Sequence, residues 1–169
     1  MHERPEDLVE LQAVIDDSYA TATPHLLEVH AAEHRLDAAA VSAELTGMRL
    51  LVLATSTRDG RPITGPVDGI FYRGRFHFGS SPDSVRFRHI RQRPAVSATH
   101  LPGEHLSITV HGTAEIIDVD APEHAEFRQT LLDIYLPRYG DEWLTILEGA
   151  TFARIHPRRV FTFSMPDAA

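Results

Sequence analysis

Between Met48 and Gly79 the chain is divided by glycines at a spacing that leaves room for short strands and for nothing longer. Gly60, Gly65, Gly69, Gly74 and Gly79 recur every four or five residues, while an ordinary helix runs about 11 residues. The runs Arg49–Thr57, Pro62–Val67, Ile70–Tyr72 and Arg75–Gly79 carry residues that fit a pleated surface. Arg58-Asp59-Gly60-Arg61 and Arg73-Gly74 have hairpin-turn chemistry. Parallel neighbours would require crossovers of about a dozen residues or more. An antiparallel meander is therefore predicted, and a βαβ arrangement fares worse.

On either side the period changes. From Glu6 to about Glu44 apolar residues return at helical spacing, with a break at Thr23-Pro24, so two or three amphipathic helices are expected. Ser80-Ser81-Pro82-Asp83-Ser84 reads as a helix start with Ser81 as cap, leading to a short helix that stops at about Gln92, before Arg93-Pro94. Strands are expected at Ala95–His100 and Leu106–Val119. Asp120-Ala121-Pro122-Glu123 opens a helix to about Tyr135, and a second covers Asp141–Leu147. A last strand, Phe152–Met165, is expected to be broken at His156-Pro157. The predicted fold class is mainly β with flanking helices (α+β): six antiparallel strands closed into a small barrel, with helices between strands three and four and between five and six. Residues 1–47 form a helical extension packed on a barrel domain, 48–169.

A length of 169 residues predicts one domain, and the absence of Cys excludes disulfides, thiolate catalysis and iron–sulfur clusters. No apolar run reaches the roughly 20 residues of a membrane span. Met1–Asp7 is acidic where a secretory leader is basic, so a cytoplasmic location is expected. Net charge is −8, and all 16 basic residues are Arg. Residues 1–48 hold ten acids and two Arg, 49–100 nine Arg and three acids, and 101–153 ten acids and two Arg. An acidic protein repels nucleic acid and membrane surfaces as a whole, so the basic middle points to a small anion and not to a polyanion.

Within that middle, Ser80, Ser81, Ser84, Arg86, Arg88, Arg91 and Arg93 gather at the start of the predicted short helix. Free backbone N–H groups, hydroxyls and guanidinium forks are what a phosphate monoester takes. A solvated Arg-rich helix fits the composition equally well; the strand–Ser–Ser–Pro–helix junction, which aims the donors at one point, favours the anion.

Taken in order and spacing, Leu51–Thr55, Asp59–Pro62, Gly65-Pro66-Val67, Gly74–Phe78, Ser84–Val96 and Gly112–Glu115 resemble the pyridoxamine 5′-phosphate oxidase-related family, over about residues 50–119 and loosely the last strand. The resemblance implies the FMN-binding split barrel and a flavin- or deazaflavin-dependent oxidoreductase. It implies a phosphate, of FMN or of the tail of coenzyme F-420, near Ser84, Arg86 and Arg88. It further implies a ring lying along Gly65, Pro66 and Val67 and along His77, Gly79 and Ser80, and a homodimer with the cofactor at the interface. Arg86 stands where the family often has Lys, and His89 where it often has Asn. Phe161–Ala169 lacks the Arg- and His-bearing end of pyridoxamine phosphate oxidases, so vitamin B6 oxidation is not expected. The cofactor would carry the two-electron chemistry; no catalytic side chain is assigned, and His77 or His111 is offered as a proton donor. F-420 rests on the all-Arg, Ala-rich composition. The alternative is a non-catalytic flavin- or haem-binding or storage protein on the same barrel.

Three further features have structural readings beside functional ones. His30-Ala31-Ala32-Glu33-His34 has zinc-protease spacing if helical, against a solvent-facing helix, and the latter is preferred, with no metal expected. His105 and His111 would share a strand face with Ser107 and Thr109. Tyr135, Tyr139 and Trp143 read as core or interface anchors, with the lining of a substrate pocket as the alternative. No serine-hydrolase elbow, dinucleotide fingerprint or Walker sequence is present.

Overall fold

The glycine-divided segment forms β1 (Met48–Ser56), β2 (Pro62–Tyr72) and β3 (Arg75–Ser80) in the computed structural model, which describes residues 2–165. The sequence beyond Met165, with the expectation drawn from the chain's end, lies outside the described residues. The predicted runs Pro62–Val67 and Ile70–Tyr72 are one strand, because Asp68 and Gly69 continue the ladder opposite Leu50 and Arg49. Arg73 and Gly74 turn the β2–β3 hairpin with φ of 53° and 70°, the primed geometry whose twist matches the strands it joins.

With β4 (Ala95–Gly103), β5 (Leu106–Ile117) and β6 (Thr151–Ser164) the strands close a barrel in the order β1-β2-β3-β6-β5-β4, every pairing antiparallel. The closing β1–β4 ladder is short: Val52–Thr99, Leu53–Ala98 and Ala54–Ser97. Leu51, Phe78, Ile108 and Ile155 are among the buried side chains of its core. β6 is not broken at His156-Pro157 as predicted. The register steps from His111–Arg159 to Gly112–Pro157, so a bulge at Arg158 carries the strand past a proline that has no N–H to give.

Three helices fill the two predicted insertions: α4 (Val85–Gln92), then α5 (Ala125–Tyr139) and α6 (Glu142–Gly149). For this numbering the N-terminal helices are α1 (Pro5–Ala20), α2 (Pro24–Val29) and α3 (Ala38–Glu44). The cap of α4 is Ser84, not Ser81: Ser84 Oγ accepts from Phe87 N, while Ser81 to Ser84 form a turn closed by Ser84 N to Ser81 O. Starting there puts Phe87, fully buried, against Phe78 at the end of the barrel. α5 runs a turn beyond the predicted Tyr135 and stops at Gly140.

The extension serves a backbone need. β6 pairs with β5 along its length, but β3 covers only Thr151–Arg154 on its other edge. Farther on, the backbone groups of alternate residues meet side chains instead. Val160 N donates to Ser18 Oγ at 2.8 Å, and Thr162 N donates to Tyr19 Oη at 2.9 Å, which donates back to Thr162 O at 2.8 Å. His30 and His34 donate from Nδ1 to the carbonyls of Thr162 and Ser164. The His30–His34 stretch is therefore not one helix face: α2 has ended, and His34 closes a 3-10 turn, Ala32–His34. An otherwise unpaired strand edge is covered by the extension, and Leu11, Ile15, Val41 and Leu45 join the barrel's own core cluster.

Replacing Tyr19 by Phe strands a buried N–H and weakens a C=O, a loss of about 1–3 kcal/mol. Urea unfolding of Y19F should show that drop in stability.

Candidate functional site

The β1–β2–β3 side of the barrel and the α5–α6 insertion enclose an open cleft of about 630 Å³. Five of the predicted site residues meet there: Pro66 and Val67 on β2, Gly79 and Ser80 on β3, and Arg86 in the first turn of α4. Gly65 adjoins them, since a Cβ at this position would lie 3.5 Å from Arg86 Nη2. Gly79 is glycine for a physical reason. A Cβ there would meet the Phe152 ring at 2.7 Å, and Phe152 forms part of the cleft wall.

Arg86 is the cation of this cleft. Its Nη2 donates to Pro66 O at 3.0 Å and its Nη1 reaches Ser80 Oγ at 3.5 Å. Desolvation lowers its pKa from the ordinary value, and no carboxylate acts in the opposite sense. Other arginines of the basic segment are neutralised: Arg61 by Asp59 at 2.9 Å, Arg73 by Glu126 at 2.7 Å and by Asp7, and Arg75 by Glu10. Those of α4 bond carbonyls only, Arg88 that of Asp83 and Arg91 that of Pro82. A half-buried guanidinium without a counter-charge among the described residues, flanked by Ser80 and Ser81, is suited to an anion.

The remaining predicted residues are placed elsewhere. Ser84 caps α4 and Arg88 is exposed beside it; neither lines the cleft. His77 is buried outside the cleft, its ring 4.3 Å from that of Phe127, with Nδ1–H donating to Arg75 O. Burial lowers its pKa from 6.5 to about 3. His111 lies on the outer surface of β5 and bonds Ser97 Oγ at 2.7 Å. His89, the departure from Asn, ties α4 to β1 through Thr55 Oγ1 at 2.9 Å.

One group in the cleft has no assignment from the sequence. Asp68 stands on β2 between the two predicted strand runs and accepts from Tyr135 Oη at 3.4 Å. Burial and Asp68 together raise the Tyr135 hydroxyl above its usual range. Trp143 stacks on Tyr135 with ring centroids 4.5 Å apart, so two of the three aromatic anchors line the cleft while also being buried. Their chain separation from β2 hides this from a linear reading.

The family model of pyridoxamine 5′-phosphate oxidase matches residues 38–165. No curated protein matches the chain in sequence. Among solved structures, a conserved hypothetical protein of Mycobacterium tuberculosis superposes with a TM-score of 0.67 at 21% identity, over 83% of this chain and 95% of that one. The haem storage protein HutZ of Vibrio cholerae gives 0.56 at 19% identity, over 69% and 88%. An FAD-binding protein of Mesorhizobium loti gives 0.54 at 22%, over 72% and 91%. At these identities the likeness concerns the fold.

A histidine whose pKa is 6.5 when unfolded and about 3 in the fold binds a proton more readily in the unfolded chain. Its cost is absent above pH 6.5 and grows as pH falls from there toward 3. Stability measured by urea unfolding should fall over this interval, and H77F should flatten that part of the profile.

Proposed function

Because the chain belongs to the pyridoxamine 5′-phosphate oxidase family, we propose that it binds FMN in this cleft and serves two-electron transfer between the flavin and a small organic substrate. The observation that carries this reading is Arg86, a half-buried cation with hydroxyls beside it and no carboxylate partner among the described residues. Arg86, Ser80 and Ser81 would hold the phosphate. Pro66, Val67 and Gly79 offer strand backbone and little side-chain bulk to a flat ring. The flavin, when bound, supplies the redox chemistry; the chain supplies binding, orientation and an apolar wall. No histidine lines the cleft among the described residues, which favours a flavin over a haem held by an imidazole.

Leu50 and Val52 on β1, Ile63 on β2 and Leu101 on β4 are exposed apolar residues on adjoining strands. Leu50 also lines the cleft. A second copy of the chain covering this face would place the cofactor beside a dimer interface. No helix among the described residues is long and apolar enough to cross a membrane.

R86A should weaken FMN binding roughly 10- to 100-fold, the worth of hydrogen bonds to a charged group, whereas R88A should have a smaller effect. Equal FMN affinity in R86A would overturn the site, and F-420 binding without FMN binding would replace the flavin by the deazaflavin. Light scattering should give twice the 18.9 kDa chain mass, and a monomer would overturn the dimer.

A further inference from the structure

The side of the cleft away from Arg86 is built by the helical insertion. Tyr135 and Trp143 stack nearly parallel, at 8° between ring planes, and Ile146 follows Trp143 by three residues on the cleft side of α6. One carboxylate, on β2, faces this apolar wall. Asp68 follows Pro66 by two residues on β2, so the two side chains share a face about 7 Å apart, and Pro66 O is where the Arg86 guanidinium is tied. Among the described residues the Asp68 side chain has one hydrogen bond, from Tyr135 Oη at 3.4 Å, and no ion pair. Arg138 of α5 lies over the Tyr139 ring instead, 5.4 Å from its centroid.

A carboxylate beside an apolar wall, without a counter-charge, attracts a ligand that brings one and repels a ligand of its own sign. We propose that Asp68 is a specificity-determining residue: it selects planar substrates that carry a positive charge and rejects those that carry a carboxylate. The substrate ring lies along Trp143 and Ile146. Arg86 and Asp68 give the cleft lining one cation and one carboxylate, so a cofactor phosphate and a cationic substrate are drawn to different groups. This rests on the flavin reading for the position of the cofactor, but Asp68 can be tested without it.

Trp143 is the one tryptophan of the chain, so its fluorescence reports on this wall alone. The probes are 1-methylnicotinamide, nicotinamide and nicotinate, closely similar rings with positive, zero and negative charge. Titrated into the purified protein, they should quench Trp143 with affinities in that order, roughly fivefold apart at each step, as for a partly exposed charge pair. D68N, which keeps an acceptor for Tyr135, should abolish the order; Y135F, which keeps the carboxylate, should retain it. Equal affinities, tightest binding of nicotinate, absence of quenching by all three, or the same order in D68N would each overturn the proposal. Loss of the order in Y135F would overturn it too, by moving selectivity to the phenol. The flavin reading fails or stands separately, on FMN titration of R86A.

Discussion

A strand in a barrel must satisfy its backbone on both edges, and β6 is the strand for which this is hardest. It is 14 residues long, while β3 reaches only its first four. Ser18, Tyr19, His30 and His34 take over beyond that point, supplying side-chain donors and acceptors at alternate residues of the edge. This requirement explains why the acidic N-terminal helices are docked where they are. It also explains two histidines that have the spacing of a metal motif and instead bond carbonyls. Because β6 is anchored in this way, its first residues can lie under the α5–α6 insertion and place Phe152 in the cleft wall.

The cleft follows from a second constraint, the distribution of charge. Two arginines of the basic middle meet acids of the flanks in space. Arg73 meets Asp7 and Glu126, residues from both flanks, and Arg75 meets Glu10. Arg86 is turned by α4 toward Pro66 O and Ser80 Oγ and makes no ion pair among the described residues. Desolvation then raises the value of an anionic partner, since a half-buried cation has lost part of its hydration without regaining it from a carboxylate. Asp68, two residues along β2 from Pro66, is the complementary case in the same cleft.

Much of this was legible in the chain. Glycine spacing implied an antiparallel meander because no crossover fits between the turns, and the barrel and both helical insertions followed from the period changes. Of the residues the family resemblance implies, Gly65, Pro66, Val67, Gly79, Ser80 and Arg86 are neighbours in space, while His77, Ser84 and Arg88 lie outside the cleft. The misplacements have local causes. Ser81 looks like a cap because Pro82 follows it, yet the burial of Phe87 decides which serine caps the helix. His156-Pro157 looks like a break, but a bulge on β6 absorbs the missing donor. The family resemblance implies that His77 lies along the ring, whereas the packing of Phe127 over it closes that face.

The sequence by itself determined the strand pairing direction, the six-stranded closure and the presence of a concentrated cationic segment, because these depend on local periods, turn lengths and composition. The packed chain sets which arginine lines the cleft, that Tyr135 and Trp143 come to lie opposite β2, and that Asp68 faces them. An ion pair and a hydrogen bond act here between residues more than 65 positions apart, Arg73 with Asp7 and Asp68 with Tyr135. No linear spacing records such pairings; the closure of the barrel brings them within reach.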